Sequence, residues 1–256
     1  MGWDPERYLQ FDNLRLRPAL DLIARIPAVQ PLRVVDLGCG PGNVTMLLKE
    51  RWPAADVLGI DSSTEMLARA GAEHPGMRWE QADARLWQAD AEVDVLFSNA
   101  ALHWLDDHTT LFAHLSSQLG MRGILAVQIP ANFDAPSHQA IRGLAGSRAW
   151  RERLADSRMG AVEGAGFYYS LLSARFHIVD VWETVYWQRL TGDNPILNWL
   201  SGTTLVPYFS RLGEDERRAF CTELGEMLKA AYPVSPDGSV LFPFRRLFMV
   251  ARNPQR

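Results

Sequence analysis

The run VVDLGCGPGNVT at residues 34–45, followed by VLGID at 57–61, constrains the fold more than any other stretch of the chain. VVDL is short and nearly all apolar, the signature of a strand buried on both faces of a parallel sheet. Glycines 38, 40 and 42 follow at once, and NVTMLLKERW then reads as a helix ended by Pro53. A buried strand that reverses over glycines into a helix belongs to a βαβ unit. The rhythm continues to about residue 130. SSTEMLARAGAEH is a helix opened by Ser and Thr with Glu65 as a capping signal, MRWEQAD a third strand and VDVLFSNAALHW a fourth. DHTTLFAHLSSQL is a helix closed by Gly120, and GILAVQIP is a fifth strand. This predicts an α/β fold: a doubly wound, mostly parallel, Rossmann-like sheet with helices on both faces and its ligand beyond the carboxyl ends of the strands.

On either side the pattern changes. Residues 13–26 carry Leu16, Leu20, Ile23 and Ile26 at helical spacing, and Pro27 and Pro31 stop that helix. Residues 131–170 look helical and loop-like. FHIVDVWETVYWQRL (176–190) reads as strand, 194–232 as helix, and VLFPFRRLFMVARN as a closing strand. The expected organisation is a single domain over 1–256. It has an N-terminal helical cap (1–30), a ligand-binding core (31–130), a helical lid inserted after strand 5 (131–175 and 191–240), and two last strands (176–190 and 241–252).

Composition narrows the function. The chain is 47% apolar and 22% charged with a net charge of −4, and no basic cluster of five or more offers a nucleic-acid footprint. No apolar run approaches membrane-spanning length, and MGWDPERYLQ has neither the apolar stretch of a signal peptide nor, with Glu6, a myristoylation pattern. Cys39 and Cys221 form no metal pattern and no disulfide framework, which fits a reducing, cytoplasmic compartment. Apart from Lys49 and Lys229 every basic residue is Arg, the better fork for carboxylates.

The turn itself selects a ligand. A dinucleotide fingerprint is G-x-G-x-x-G with pyrophosphate at the helix N-terminus. Here the spacing is G-x-G-x-G, and Asp36 stands just before the first glycine, where its carboxylate would oppose a pyrophosphate. Asp61, at the end of the second strand, suits the hydroxyls of a ribose, with Ser62 beside it. A positively charged nucleoside without phosphates answers these demands, and S-adenosylmethionine is that molecule. Asp83, just past the third strand, is placed to accept from an adenine amino group, and the Ala84 N–H to meet the ring. Asn99 ends the fourth strand, and Ala100 and Ala101 after it leave room for a methyl group. A metal site is not expected.

The segments VVDLGCGPGNVT, LGIDSSTEML, ADA and FSNAALHWLDDH resemble the class I S-adenosylmethionine-dependent methyltransferases. WDPERYLQFDNLRLRPALDLIARI at the start and FPFRRLFMVA at the end resemble the trans-aconitate methyltransferase family more closely. The resemblance implies a seven-stranded sheet in the order 3-2-1-4-5-7-6 with the last strand antiparallel. It assigns the cofactor to Asp36, Gly38, Gly40, Asp61, Asp83, Ala84 and Asn99, and lays Trp3, Tyr8 and Phe11 across the mouth of its pocket.

A carboxylate acceptor is already ionised at pH 7 and needs no general base, so no catalytic constellation is expected; His103 is at most an orienting group. A small tricarboxylate needs cations and donors instead. The candidates are Arg142, Arg148, Arg175, Arg245 and Arg246, with His103, Trp104, Tyr168 and Tyr169. Strand alternation sends Arg245 and Arg246 to opposite faces. Competing readings are a methyltransferase on another small carboxylate or on a malonyl-carrier-protein thioester, a nicotinamide-dependent oxidoreductase, and a non-catalytic binding module.

Overall fold

The computed structural model describes residues 16–154, 156–157, 159–160 and 162–254. Trp3, Tyr8, Phe11 and the first half of the expected N-terminal cap lie outside them. The seven strands are β1 (Arg33–Leu37), β2 (Asp56–Asp61), β3 (Arg78–Gln81), β4 (Val93–Asn99), β5 (Leu119–Pro130), β6 (Ile178–Leu190) and β7 (Val240–Arg252). Between β1 and β5 lie the helices α2 (Asn43–Arg51), α3 (Thr64–Glu73) and α4 (His108–Ser117), preceded by α1 (Arg17–Arg25). After β5 come α5 (Pro136–Ala145), α6 (Arg151–Leu154), α7 (Ala165–Ser173), α8 (Pro195–Ser201), α9 (Val206–Phe209) and α10 (Glu214–Ala231).

The sheet order is β3-β2-β1-β4-β5-β7-β6. β1 lies parallel between β2 and β4, with Asp36 in register with Gly59 on one side and Phe97 on the other. β3 pairs parallel with β2 and β5 with β4. β7 runs the other way. Asn253, just past its end, donates to the carbonyl of Met121 at the start of β5 and accepts from the N–H of His177, just before β6. Val34, Val35, Leu37, Val95, Leu96, Phe97, Leu125 and Val127 are all buried, which is why these strands read as continuous apolar runs.

The chain divides into two compact units: 1–129 with 162–184 and 247–256, and 130–161 with 185–246. Three element boundaries or placements differ from the sequence reading. β4 stops at Asn99, because Ala100 takes a positive φ of 54° and the chain turns into a 3₁₀ segment at Leu102–Trp104. β5 starts at Leu119, before Gly120, with a register irregularity opposite Val93 and Val95. Helix α7, assigned to the lid, packs within the first unit. Its Tyr168 is fully buried against Phe112 of α4, ring centroids 5.4 Å apart.

Tyr168 closes a hydrogen-bonded chain whose direction is fixed. The Leu102 carbonyl can only accept, so Nε2 of His108, 3.0 Å away, carries the proton. Nδ1 is then the acceptor, and the Tyr168 hydroxyl donates to it at 2.6 Å while accepting from the N–H of Glu163. Burial pushes the Tyr168 phenol up to about 12. The chain ties α7 to the turn that follows β4.

The second unit has its own aromatic centre. Phe220 of α10 meets Trp150 edge-on and Tyr208 stacked, at 5.3 and 6.4 Å, and the Trp150 indole N–H donates to Glu223. The Glu216 carboxylate accepts from the Gly213 N–H at 3.1 Å and opens α10.

Tyr168→Phe keeps the ring but strands the buried His108 Nδ1 and removes the acceptor of the Glu163 N–H. It is expected to cost about 1–3 kcal/mol, read by calorimetry as a melting temperature lowered by roughly 2–4 °C per kcal/mol. An unchanged melting temperature would show that the chain contributes nothing to stability.

Candidate functional site

The site is built on the end of β2. The N–H groups of Gly38 and Cys39 both donate to the Ile60 carbonyl, at 2.8 and 3.0 Å. The next residue, Asp61, accepts from the N–H of Gly40 through Oδ2 and of Ser63 through Oδ1, each at 2.9 Å. Four amides from two loops therefore converge on two consecutive residues. A carboxylate offers about four lone-pair directions, so Asp61 keeps acceptor capacity on both oxygens for a diol. Ser62 is exposed beside it, its carbonyl held by Gln81.

The glycines are required for different reasons. At Gly38 φ is +73°, and an added Cβ would fall 2.1 Å from the Cβ of Ala101, so the β1 and β4 turns touch there. At Gly40 φ is +56° and an added Cβ would meet nothing within 4 Å. The space over Gly40 is open, which lets a ligand lie against bare backbone. Ala100, a non-glycine held at positive φ, shows that the β4 turn is strained into its shape.

Asp36 is 1% exposed. Thr45, on the first turn of α2, donates its hydroxyl to Oδ2 at 2.7 Å. Burial, opposed by that hydrogen bond and reinforced by the charge of Asp61, raises the Asp36 carboxyl to about 7. The sequence reading aimed Asp36 at a cation or a ribose hydroxyl; the structure buries it and gives one oxygen to Thr45. Burial likewise pushes the neighbouring Cys39 thiol up, so this cysteine is a buried thiol rather than a nucleophile.

Asp83 follows β3 by two residues. Its Oδ1 caps the N–H of Arg85, and both oxygens accept from the Arg85 Nε at 3.0 Å, which holds the carboxyl below its usual range. Ala84 is half-buried next to it. Asn99 ends β4 with its Oδ1 buried and unpartnered among the described residues. His103 is buried on the 3₁₀ turn with its ring 4.7 Å from that of Trp104, which is 42% exposed.

Of the residues expected to bind an acceptor, Tyr168 does not qualify, because the core consumes both functions of its hydroxyl. Arg175 does not either. It lines a hollow with Ser116, Leu119, Gly120 and Asn253, at the amino end of β5 and so at the opposite edge of the sheet from Asp61 and Asn99. α7 runs away from the site, and Arg175 lies past its far end. Tyr169 is exposed on the same helix. Arg142, Arg148, Arg245 and Arg246 belong to the second unit. There Arg142 donates to the Phe133 carbonyl, Arg148 is exposed, and Arg245 donates from Nε to the Ala131 carbonyl. Arg246 is buried with its guanidinium 4.2 Å from the Phe244 ring centroid, on the face opposite Arg245, as strand alternation predicts.

Sequence reasoning missed Thr45 and Trp79, and read Ala101 as room for a methyl group rather than as the contact of Gly38. The Trp79 ring covers Gly59 and Gly42, where added Cβ atoms would come within 2.3 and 2.4 Å of it. A glycine inside strand β2 was the available signal, since glycine in a strand marks a close approach.

These residues fit an S-adenosyl cofactor: Asp61 for the ribose, the bare Gly40 backbone under it, and the orphaned Asn99 acceptor for a donor. Sheet order and site together define the class, the Rossmann-like S-adenosylmethionine-dependent methyltransferases. The methyltransferase-domain family model matches residues 34–123, and an S-adenosylmethionine-dependent methyltransferase from Mesorhizobium loti superposes with a TM-score of 0.55 at 22% identity, over 94% of this chain and 99% of that one. The trans-aconitate 2-methyltransferases of Azoarcus sp. (46% identical, 97% of this chain and 98% of the relative) and of Escherichia coli O157:H7 (42%, 99% of each) align end to end, and the chain belongs to the trans-aconitate 2-methyltransferase family. Among the described residues no group of His, Cys, Asp and Glu could hold a metal ion, and no helix is long and apolar enough to cross a membrane.

Two predictions follow from the turn. Gly40→Ala should fold with a small loss of stability, of the order of 1 kcal/mol for the αL backbone, yet weaken S-adenosylhomocysteine binding at least tenfold by calorimetry. Gly38→Ala should lose both stability and binding, and equal behaviour of the two variants would refute the distinction. Asp36 sets the pH dependence. Its folded-state carboxyl lies above the unfolded value, so its stabilising contribution is complete in acid and is lost as pH rises through about 7. A bound cation favours the ionised form, so affinity for S-adenosylmethionine should rise from pH 6 to pH 8. Asp36→Asn should flatten that rise and leave the protein more stable than wild type at pH 8.

Proposed function

We propose that the protein transfers a methyl group from S-adenosylmethionine to a carboxylate of trans-aconitate, giving the monomethyl ester and S-adenosylhomocysteine. End-to-end identity of 42–46% with trans-aconitate 2-methyltransferases carries this reading. Asp36, Gly38, Gly40, Asp61, Ser62, Asp83, Ala84, Asn99 and Ala100 hold the cofactor, and His103 and Trp104 flank the acceptor. Free Cys39 and Cys221 support a reducing, cytoplasmic setting.

When bound, the cofactor supplies a sulfonium-activated methyl group. The chain's task is to orient and to desolvate. Asp61 fixes the nucleoside while also holding the Gly40 amide, so binding and turn geometry are one arrangement. Asn99 offers an acceptor that water does not reach. The acceptor's carboxylates ionise near pH 4, so its oxygen is a nucleophile without help at neutral pH. A base is accordingly unnecessary, and the hydrogen-bonding groups of His108 and Tyr168 are committed to each other. Positioning of this kind can supply on the order of 7–11 kcal/mol of the barrier.

Incubation with methyl-labelled S-adenosylmethionine and a panel of small polycarboxylates tests the reading. The expected product is a base-labile methyl ester of trans-aconitate, identified by mass spectrometry. Methylation of other acids with trans-aconitate untouched would overturn the substrate assignment.

A further inference from the structure

Gln128, in β5, is 0% exposed, yet neither Oε1 nor Nε2 of its carboxamide has a hydrogen-bond partner among the described residues. Buried amides left unpaired are rare and destabilising, so a native chain that keeps one has another use for it. Its position suggests the use. Gln128 is in register with Asn99 on β4, so the two side chains leave the sheet on the same face, about 4.8 Å apart. The Ala100 N–H donates to the Gln128 carbonyl, so the strands are still paired at this level. Through Asp36, in register with both Gly59 and Phe97, the same level on the same face contains Asp61 of β2. Asp61, Asn99 and Gln128 thus form one row along the carboxyl ends of the strands. The Asn99 Oδ1 and the Gln128 amide do not bond to each other.

We infer that Gln128 is an acceptor-binding residue, its Nε2–H groups donating to a carboxylate oxygen of the methyl acceptor. The inference rests on the proposed function. The nucleoside end of the cofactor is claimed by β2 and β3, through Asp61 and Asp83. A cofactor held in this way would present its sulfonium end toward β4, and the strand beyond β4 would face what the methyl is delivered to. The acceptor is anionic and arrives near Asp36 and Asp61, so a neutral donor suits it where a carboxylate would repel it. An amide also adds no positive charge beside the sulfonium.

Gln128→Met tests this, because it replaces the unpaired amide by an apolar side chain of similar length. The apo protein should keep or raise its melting temperature, since apolar replacement of an unsatisfied group is neutral or stabilising. Affinity for S-adenosylhomocysteine should stay within twofold, and KM for the acceptor should rise at least tenfold. Gln128→Glu, which keeps the shape but loses the donor, should raise KM at least as much. A lowered melting temperature with unchanged acceptor KM would make Gln128 a structural residue, and a weakened product complex would assign it to the cofactor; either overturns the inference. Wild type is assayed in parallel. If it methylates no carboxylate, the proposed function itself falls, whereas an active wild type with an unaffected variant refutes the role of Gln128 alone.

Discussion

The structure depends on the grip of Ile60 and Asp61 on the loop after β1. One carbonyl and one carboxylate hold the amides of Gly38, Cys39, Gly40 and Ser63. Glycines at positive φ have no preferred shape of their own, so a loop built from Gly38, Gly40 and Gly42 would be loose without these anchors. The contact of Gly38 with Ala101 passes the same order to the turn after β4. The His108–Tyr168 chain holds the next turn at Leu102. Loops that carry a site are thereby fixed before any ligand arrives, which is the condition for positioning to contribute to rate.

Buried polar groups in the first unit fall into two kinds. Ser98, whose hydroxyl donates to the Leu37 carbonyl, and the pair His108 and Tyr168 are satisfied, and they hold the fold. Asn99 and Gln128 are not satisfied, and they stand where the strands end. Asp36 lies between, with one hydrogen bond and a carboxyl raised to about 7. A chain selected for stability alone would have filled these last positions with apolar residues. Trp79 Nε1 and His74 Nε2 are buried without a partner among the described residues as well, but Asn99 and Gln128 are the two in register with each other at the strand ends.

The proposed cofactor half of the site could be read from the sequence because its demands are local. A turn that must pass close to a ligand needs glycine, and a ribose needs a carboxylate at the end of the next strand, so Gly38, Gly40 and Asp61 announce themselves. The alternation of strand and helix was legible for the same reason, and βαβ crossovers leave few topologies, but the strand order itself came from the family resemblance. The acceptor side was not legible. Its residues come from distant segments, and side-chain chemistry alone does not say which way an element faces. Arg175 has the right charge and lies at the wrong end of the sheet. Tyr168 has the right hydroxyl, already committed in the core. Gln128 sits in GILAVQIP, a run that reads as an ordinary buried strand, and only register with Asn99 brings it to the site.

Charge along the row Asp61, Asn99 and Gln128 is graded, and the gradient has a sign. The carboxylate sits on β2, and the two residues nearer the acceptor are neutral amides. β2 and β5 are three strand spacings apart, about 14 Å. At an effective dielectric of 20, Asp61 opposes an anion at β5 by about 1.2 kcal/mol, whereas a carboxylate at position 128 in contact with it would oppose it by about 4 kcal/mol. The difference of about 3 kcal/mol is a factor of more than 100 in affinity. An anionic acceptor can therefore share one end of a sheet with Asp61 provided that the strand facing it carries an amide, and the unpaired amide of Gln128 is the group that occupies that place.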